Sequence, residues 1–198
     1  MDSKQKIDDF KNIYYHYSKR TWEWEPFMRK YKMNKVCEVG VRNGQNFAKI
    51  IQHKPELAVA VDAWIDDGSI GNNDGCYQQN ELNLQYNNFR NEYGVEPFVQ
   101  IIRAYSNIAV HKIPDEFFDF VYIDANHTED GCYQDITDWF PKVKSGGLLA
   151  GHDYEPRHVK TKRGRIRFGV VEAVNKFAKE RNLNFHILPP IVWGIFKP

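Results

Sequence analysis

The chain has 198 residues, with 27 Lys and Arg against 26 Asp and Glu and a formal net charge of +1. That length suits one domain whose apolar core needs no disulfide staples, and the balance of charge excludes a surface built as a whole to hold nucleic acid or an acidic membrane. No run approaches the apolar length that crosses a bilayer, and the opening stretch MDSKQKIDDFKNIYYHYSKR lacks a signal-like apolar segment, so the expectation is a cytoplasmic protein with no membrane or nucleic-acid partner.

In chain order, residues 1–33 read as a helical cover, with Phe10, Ile13 and Tyr14 forming an apolar stripe and Pro26 interrupting the aromatic segment Trp22, Trp24, Phe27. Residues 34–198 have a different texture and are expected to form the main domain. Short apolar runs at Val36–Val39, Leu57–Val61, Val99–Ile102, Phe118–Ile123 and Gly147–Ala150 are strand candidates, too apolar to have one face in water. Helical patterns lie between and after them at 44–53, 80–93, 129–140 and 169–182, the third with Cys132, Ile136 and Trp139 on one face and Thr128 as its N-cap. Strand alternating with helix predicts a parallel sheet with helices on both faces. Phe185–Leu188 and Ile191–Phe196 are separated only by Pro189 and Pro190, too short a link for a parallel crossover, so these two runs are expected to pair antiparallel.

Residues 65–79, rich in Asp, Gly and Asn, read as a loop at the open end of the sheet. Residues 157–167 read as a second loop there, with six Arg or Lys beside His158. It is either a solvated segment or a lid that recognises an anionic acceptor such as a phosphorylated or acidic sugar. Cys37, Cys76 and Cys132 lack close metal-ligand spacing and are expected to be free thiols in apolar surroundings. The glycosylation-type triplet Asn126-His127-Thr128 is idle without a secretory route.

The sharpest local signal follows the first strand: Glu38-Val-Gly40-Val-Arg42-Asn-Gly44 leads into a helix. Gly40 permits a tight turn and Gly44 close packing or ligand approach. A dinucleotide fingerprint would have glycine where Arg42 stands, which counts against a nicotinamide cofactor. Asp62 ends the next strand, where a carboxylate can accept both hydroxyls of an adenosine ribose. Glu38, inside an apolar strand, is costly to bury unpaired and is expected to bond toward the loop or a ligand.

These motifs resemble the class I S-adenosylmethionine-dependent methyltransferases, in particular a small group of sugar and natural-product O-methyltransferases. The resemblance rests on Glu-x-Gly-x-x-x-Gly (Glu38–Gly44), Asp-x-Trp (Asp62–Trp64), Ile-Asp-x-x-His (Ile123–His127) and Gly-Gly-x-x-x-Gly-His-Asp-Tyr (Gly146–Tyr154), and covers residues 35–198. It implies a Rossmann-like three-layer α/β sandwich, whose mostly parallel seven-stranded sheet has an antiparallel C-terminal hairpin strand. It also implies S-adenosylmethionine held by Glu38, Gly40, Arg42, Gly44, Asp62, Ala63, Trp64, Tyr105, Ser106 and Asp124, with Tyr105 and Ser106 beside adenine, and a small, sugar-like acceptor.

The reacting end is expected where neighbouring strand ends share a crevice, with Asp124 after the fourth strand and His152 and Asp153 after the fifth. Asp124, His152 and Asp153 would suit a divalent cation such as Mg²⁺ or Mn²⁺, which could lower the pKa of a sugar hydroxyl. In metal-dependent relatives an Asp-Asp or Asp-Asn pair matches His152 and Asp153, so Gly151-His-Asp-Tyr154 departs from the pattern. A base is often an Asp where this chain has Asn126. Asn126 cannot take a proton, which leaves His127 as the candidate base beside Asp124. The alternatives are a helix-start role for His127 and loop bracing by His152 and Asp153. At the level of the whole chain, a nicotinamide-dependent oxidoreductase and a non-catalytic adenosine-cofactor-binding protein also stay open, as does a homo-oligomer.

Overall fold

A computed structural model of the chain describes residues 3–17, 21–68, 77–161 and 164–198. The strands are β1 (Tyr15–His16), β2 (Thr21–Trp22), β3 (Lys35–Val39), β4 (Leu57–Asp62), β5 (Val99–Arg103), β6 (Phe118–Ile123), β7 (Val143–Gly151), β8 (His158–Thr161), β9 (Gly164–Arg167), β10 (His186–Leu188) and β11 (Val192–Phe196). The α-helices are α1 (Ser3–Lys11), α2 (Glu25–Lys30), α3 (Gln45–Ile50), α4 (Gln79–Tyr93), α5 (Ser106–Ala109), α6 (Glu129–Trp139) and α7 (Val170–Glu180). The central sheet has seven strands in the order β10-β11-β7-β6-β3-β4-β5. Strands β5, β4, β3, β6 and β7 run parallel, and β11 alone is reversed between β7 and β10. This is the expected α/β sandwich with its antiparallel C-terminal strand.

The apolar runs feed two cores because successive side chains leave a strand on opposite faces. Val36, Ala58, Ala60, Phe120, Tyr122, Leu148 and Ala150 pack on one face with α1, α2, α3 and α4. Cys37, Val39, Val59, Val61, Phe118, Val121, Ile123 and Leu149 pack on the other with α6 and α7. Cys37 and Cys132 are buried free thiols, and Cys76 lies outside the described residues. Thr128 caps α6, its hydroxyl accepting a hydrogen bond from Gly131 N at 3.1 Å.

Two sequence expectations need correction. Residues 1–33 are not helical throughout: β1 and β2 form an antiparallel ribbon between α1 and α2, with Tyr15 opposite Trp22 and their rings 4.7 Å apart. β-branched and aromatic residues at these positions favour extended backbone, a preference that outweighs the short helical stripe. Residues 157–167 are not an irregular loop, since β8 and β9 pair antiparallel from His158↔Arg167 to Thr161↔Gly164. There the alternation of Val159 and Ile166 with charged residues is a period-two signal that the basic composition masked. Of the predicted loop at 65–79, residues 69–76 lie outside the described residues and Gln79 already belongs to α4.

The N-terminal elements share the core of the sheet. Phe10 is 0% exposed and meets Phe27 and Phe196 at ring separations of 6.2 and 5.9 Å. It lies so close to β11 that a Cβ on Gly194 would stand 2.6 Å from its ring. Trp24 is fully buried against Phe120 and Tyr122 of β6. Phe10→Ala is therefore expected to cost about 3–5 kcal/mol in urea unfolding, as deletion of a buried ring does; a loss below about 1 kcal/mol would show α1 to be dispensable to the core.

Candidate active site

The parallel strands end on one side of the sheet, and the loops after β3, β4, β5, β6 and β7 surround a cleft of about 900 Å³. Its floor is the turn after β3. Gly40 has φ +93°, and a Cβ there would lie 2.0 Å from the carbonyl oxygen of Asp124. Only glycine allows so close an approach. The turn is stitched to both neighbouring strands, with Gly40 N donating to Val61 O and Asp124 N donating to Val39 O, each at 2.8 Å.

Asp62 closes the turn from the side. One carboxylate oxygen accepts from Arg42 N at 2.9 Å, and the other accepts from Trp64 N at 2.8 Å. Burial raises its pKa, opposed by these two N–H donors. The Trp64 indole donates to Arg42 O at 2.8 Å, so the two turns brace each other. The Arg42 guanidinium lies over the Tyr77 ring at 4.4 Å.

Glu38 is 2% exposed on the apolar face of β3. One carboxylate oxygen accepts from Asn46 Nδ2 at 2.8 Å, while Asn46 Oδ1 accepts from Trp24 Nε1 at 3.1 Å. The other oxygen, Oε2, is buried without a partner at the cleft, as is the hydroxyl of its register neighbour Tyr122. Burial pushes the Glu38 carboxyl well above its ordinary range; Asn46 works against this, and Asp124 and Asp62 add to it. A buried acceptor left unpaired is expensive, and a cationic or donor group in the cleft would satisfy it.

At the far end, Tyr105 and Ser106 follow β5. The Tyr105 hydroxyl donates to Asp67 at 3.2 Å. The Ser106 hydroxyl donates to Asp135, a residue of α6 that is 4% exposed. Burial raises Asp135 to about 6, with the Ser106 hydrogen bond opposing it.

The reacting end gathers Asp124, His127, His152 and Asp153. His127 Nε2 is 3.1 Å from both Asp124 Oδ1 and Asp153 Oδ2, and His152 Nδ1 is 3.1 Å from Asp153 Oδ1. Ligand atoms of Asp124, His152 and Asp153 all lie within 4.8 Å of one another, a spacing that can hold one cation. Asp153 is 3% exposed and has φ +58°. Burial disfavours its charge, but the hydrogen bonds of His127 and His152 prevail and hold its pKa well below the ordinary value. The His127 ring stacks on Phe168 with centroids 4.4 Å apart and planes 1° from parallel. Asn126 plays a structural part: its Oδ1 accepts from Thr128 N at 3.0 Å and Thr128 Oγ1 at 2.7 Å, and it fills the space that a Cβ on Gly131 would need.

A family model described as a methyltransferase domain matches residues 37–154, more than half of the chain and the span that holds every strand end just described. The protein belongs to this methyltransferase family. Its fold is similar to that of the O-methyltransferase NovP (12% identity, TM-score 0.61, covering 98% of this chain and 79% of that one). It is also similar to an SAH-bound Podospora anserina methyltransferase, PaMTH1 (16% identity, TM-score 0.57, 88% and 76%). A Staphylococcus aureus protein described as a caffeoyl-CoA O-methyltransferase is a third (13% identity, TM-score 0.63, 99% and 93%). No curated protein matches the chain.

In this methyltransferase, Glu38, Gly40, Arg42, Asp62, Ala63, Trp64, Tyr105, Ser106, Asp124, His127 and His152 all line the one cleft. Gly44 does not: a Cβ there would meet Tyr93 and Phe89 at 2.7 and 2.9 Å, so its role is close packing of α3 on α4. Asp153 sits just behind the wall. Sequence reasoning did not single out Asn46, Tyr122, Asp135, Tyr15 or Thr21, which also line the cleft, as do Trp22 of the aromatic segment and Arg157 of the basic one. Asn46 had a local signal, two residues beyond Gly44 on the first turn of a helix; Asp135 and Tyr122 had none, because their neighbours are distant in sequence.

Asp135 gives a stability prediction. Its folded pKa of about 6 lies above the ordinary 3.8, so its favourable contribution is complete below pH 3.8 and is lost as pH rises through about 6. Asp135→Asn is expected to exceed the wild type in thermal stability at pH 7.5, by at most about 3 kcal/mol, and the difference should shrink toward zero near pH 4. A wild type equally stable across that range relative to the variant would refute the raised pKa.

Proposed function

We propose that the protein transfers a methyl group from S-adenosylmethionine to a hydroxyl of a small, sugar-like acceptor. The observation that carries this reading is that one cleft joins the Gly40 turn and the Asp62 carboxylate to Asp124, His127 and His152. The residues fit the cofactor. Gly40 brings bare backbone to the cleft, and the unpartnered Glu38 Oε2 offers an acceptor for a cationic group. Asp62 retains lone pairs for ribose hydroxyls beyond its two backbone partners. When bound, the sulfonium supplies an activated methyl carbon, so the protein's task is to align a hydroxyl and remove its proton.

Asp124 and His127 stand at that task. The two carboxylate oxygens 3.1 Å from His127 Nε2 hold a proton at that nitrogen and orient the ring, which assigns the other ring nitrogen, Nδ1, to accept the proton leaving the hydroxyl. The flat contact with Phe168 fixes the plane of the ring. Asp124, His152 and Asp153 would hold Mg²⁺ or Mn²⁺, which would lower the pKa of a coordinated hydroxyl. Tyr15 and Trp22 border the same cleft, and aromatic faces suit the apolar face of a sugar ring. We further place the enzyme in the cytoplasm; among the described residues no helix is long and apolar enough to cross a membrane.

Calorimetry is expected to show binding of S-adenosylmethionine and none of NAD; the reverse preference would reject the reading. Screening sugars, nucleotide sugars and catechols for release of S-adenosylhomocysteine identifies the acceptor, and on it His127→Gln should lower turnover by about 10²-fold or more. Undiminished turnover would remove His127 from the mechanism. In equilibrium dialysis, an Asp124→Ala/Asp153→Ala protein should lose Mn²⁺ binding; retention equal to the wild type would reject the cation site.

A further inference from the structure

The β8–β9 ribbon is two-faced. In its antiparallel register His158 stands opposite Arg167, Val159 opposite Ile166 and Lys160 opposite Arg165. Directly opposed residues share a face and adjacent pairs alternate, so Val159 and Ile166 form one face and His158, Lys160, Arg165 and Arg167 the other. Ile166 is buried, whereas His158, Lys160, Arg165 and Arg167 are exposed. Arg167 is ion-paired with Glu172. Among the described residues, Lys160 and Arg165 have no ion-pair partner, although they face one another across the ribbon at a Cβ separation of about 5 Å. Like charges so opposed are unfavourable until an anion lies between them.

The base of this ribbon is built into the reacting end of the cleft. Phe168 N donates to Arg157 O at 2.9 Å, and Gly169 N donates to His127 O at 2.8 Å. Phe168 carries the His127 ring and also lies 4.4 Å from the Arg157 guanidinium. Arg157 lines the cleft, with one terminal nitrogen held by Asp153 at 2.9 Å and the other by Glu155 at 3.0 Å. Its Nε is buried and has no acceptor. Arg157 thus offers an unsatisfied cationic donor at the cleft, and the ribbon that follows it carries the Lys160–Arg165 cation pair.

We infer that this ribbon binds the phosphoryl portion of the acceptor, so that the substrate is a phosphorylated or diphosphate-linked sugar rather than a free one. The inference rests on the methyl-transfer reading and narrows its substrate class. Two cationic side chains on directly opposed residues match the compact charge of a phosphate or diphosphate, with Arg165 suited to bidentate contact. A long polyanion would call for a wider field than a chain of net charge +1 provides.

Pyrophosphate tests this directly, titrated by calorimetry into protein saturated with S-adenosylhomocysteine in chelator-treated, metal-free buffer. The wild type should bind pyrophosphate with an affinity that falls as salt rises, and Lys160→Ala/Arg165→Ala should bind it about ten-fold more weakly, with unchanged melting temperature and unchanged S-adenosylhomocysteine affinity. Equal pyrophosphate affinity in the two proteins overturns the assignment. So does a wild type that binds S-adenosylhomocysteine but ignores pyrophosphate, including one that instead binds single-stranded RNA or phosphatidylglycerol vesicles through these residues. A wild type that binds no S-adenosylhomocysteine strikes the methyl-transfer reading itself, a result distinct from the other two.

Discussion

The approach of the Gly40 backbone to the carbonyl of Asp124 is the contact on which the site depends. A Cβ at residue 40 would sit 2.0 Å from that oxygen, so the tips of β3 and β6 meet with no side chain between them. The turn after β3 and the residues after β6 therefore face one space rather than two. The remaining features elaborate this closure. Asp62 ties its two oxygens to the backbone of residues 42 and 64, fixing the neighbouring rim, and the parallel register of β7 on β6 carries His152 and Asp153 to the same height.

The cleft is rich in carboxylates. Glu38, Asp62, Asp67, Asp124 and Asp135 all border it, and burial disfavours ionisation of Glu38, Asp62 and Asp135. Such a wall is stable only where donors or cations compensate it. At the reacting end the compensation comes from His127, His152 and Arg157 around Asp153. Toward Glu38 it is incomplete, and that is the end from which a positively charged ligand has most to gain. The division gives the cleft a direction: unsatisfied acceptors beside the turn, and an unsatisfied guanidinium nitrogen beside the ribbon.

The sheet was legible in the sequence because fully buried parallel strands leave continuous apolar runs, and the reversed last strand was legible because a Pro-Pro link cannot make a crossover. Glu38, Gly40, Asp62 and Asp124 were legible for a related reason: strand-end positions are fixed by the strands that precede them. The two small ribbons were hidden. Tyr15–His16 and Thr21–Trp22 are too short to show alternation, and in β8 and β9 the density of Arg and Lys obscured the period of Val159 and Ile166. Asp135, Tyr122 and Asn126 owe their roles to neighbours across the fold or to a side chain folded back on its own backbone, as when Asn126 accepts from Thr128. Residue type and spacing alone do not encode such roles.

The hydrogen-bond relay from Trp24 through Asn46 to Glu38 makes the N-terminal segment part of the support beneath the cleft. Exchange of such segments between relatives is then not modular. A transplanted N-terminus without an indole at this height would leave the Asn46 amide free to rotate, and with it the orientation of the acidic group on β3. One indole and one amide thus tie the N-terminal segment to the carboxylate of β3.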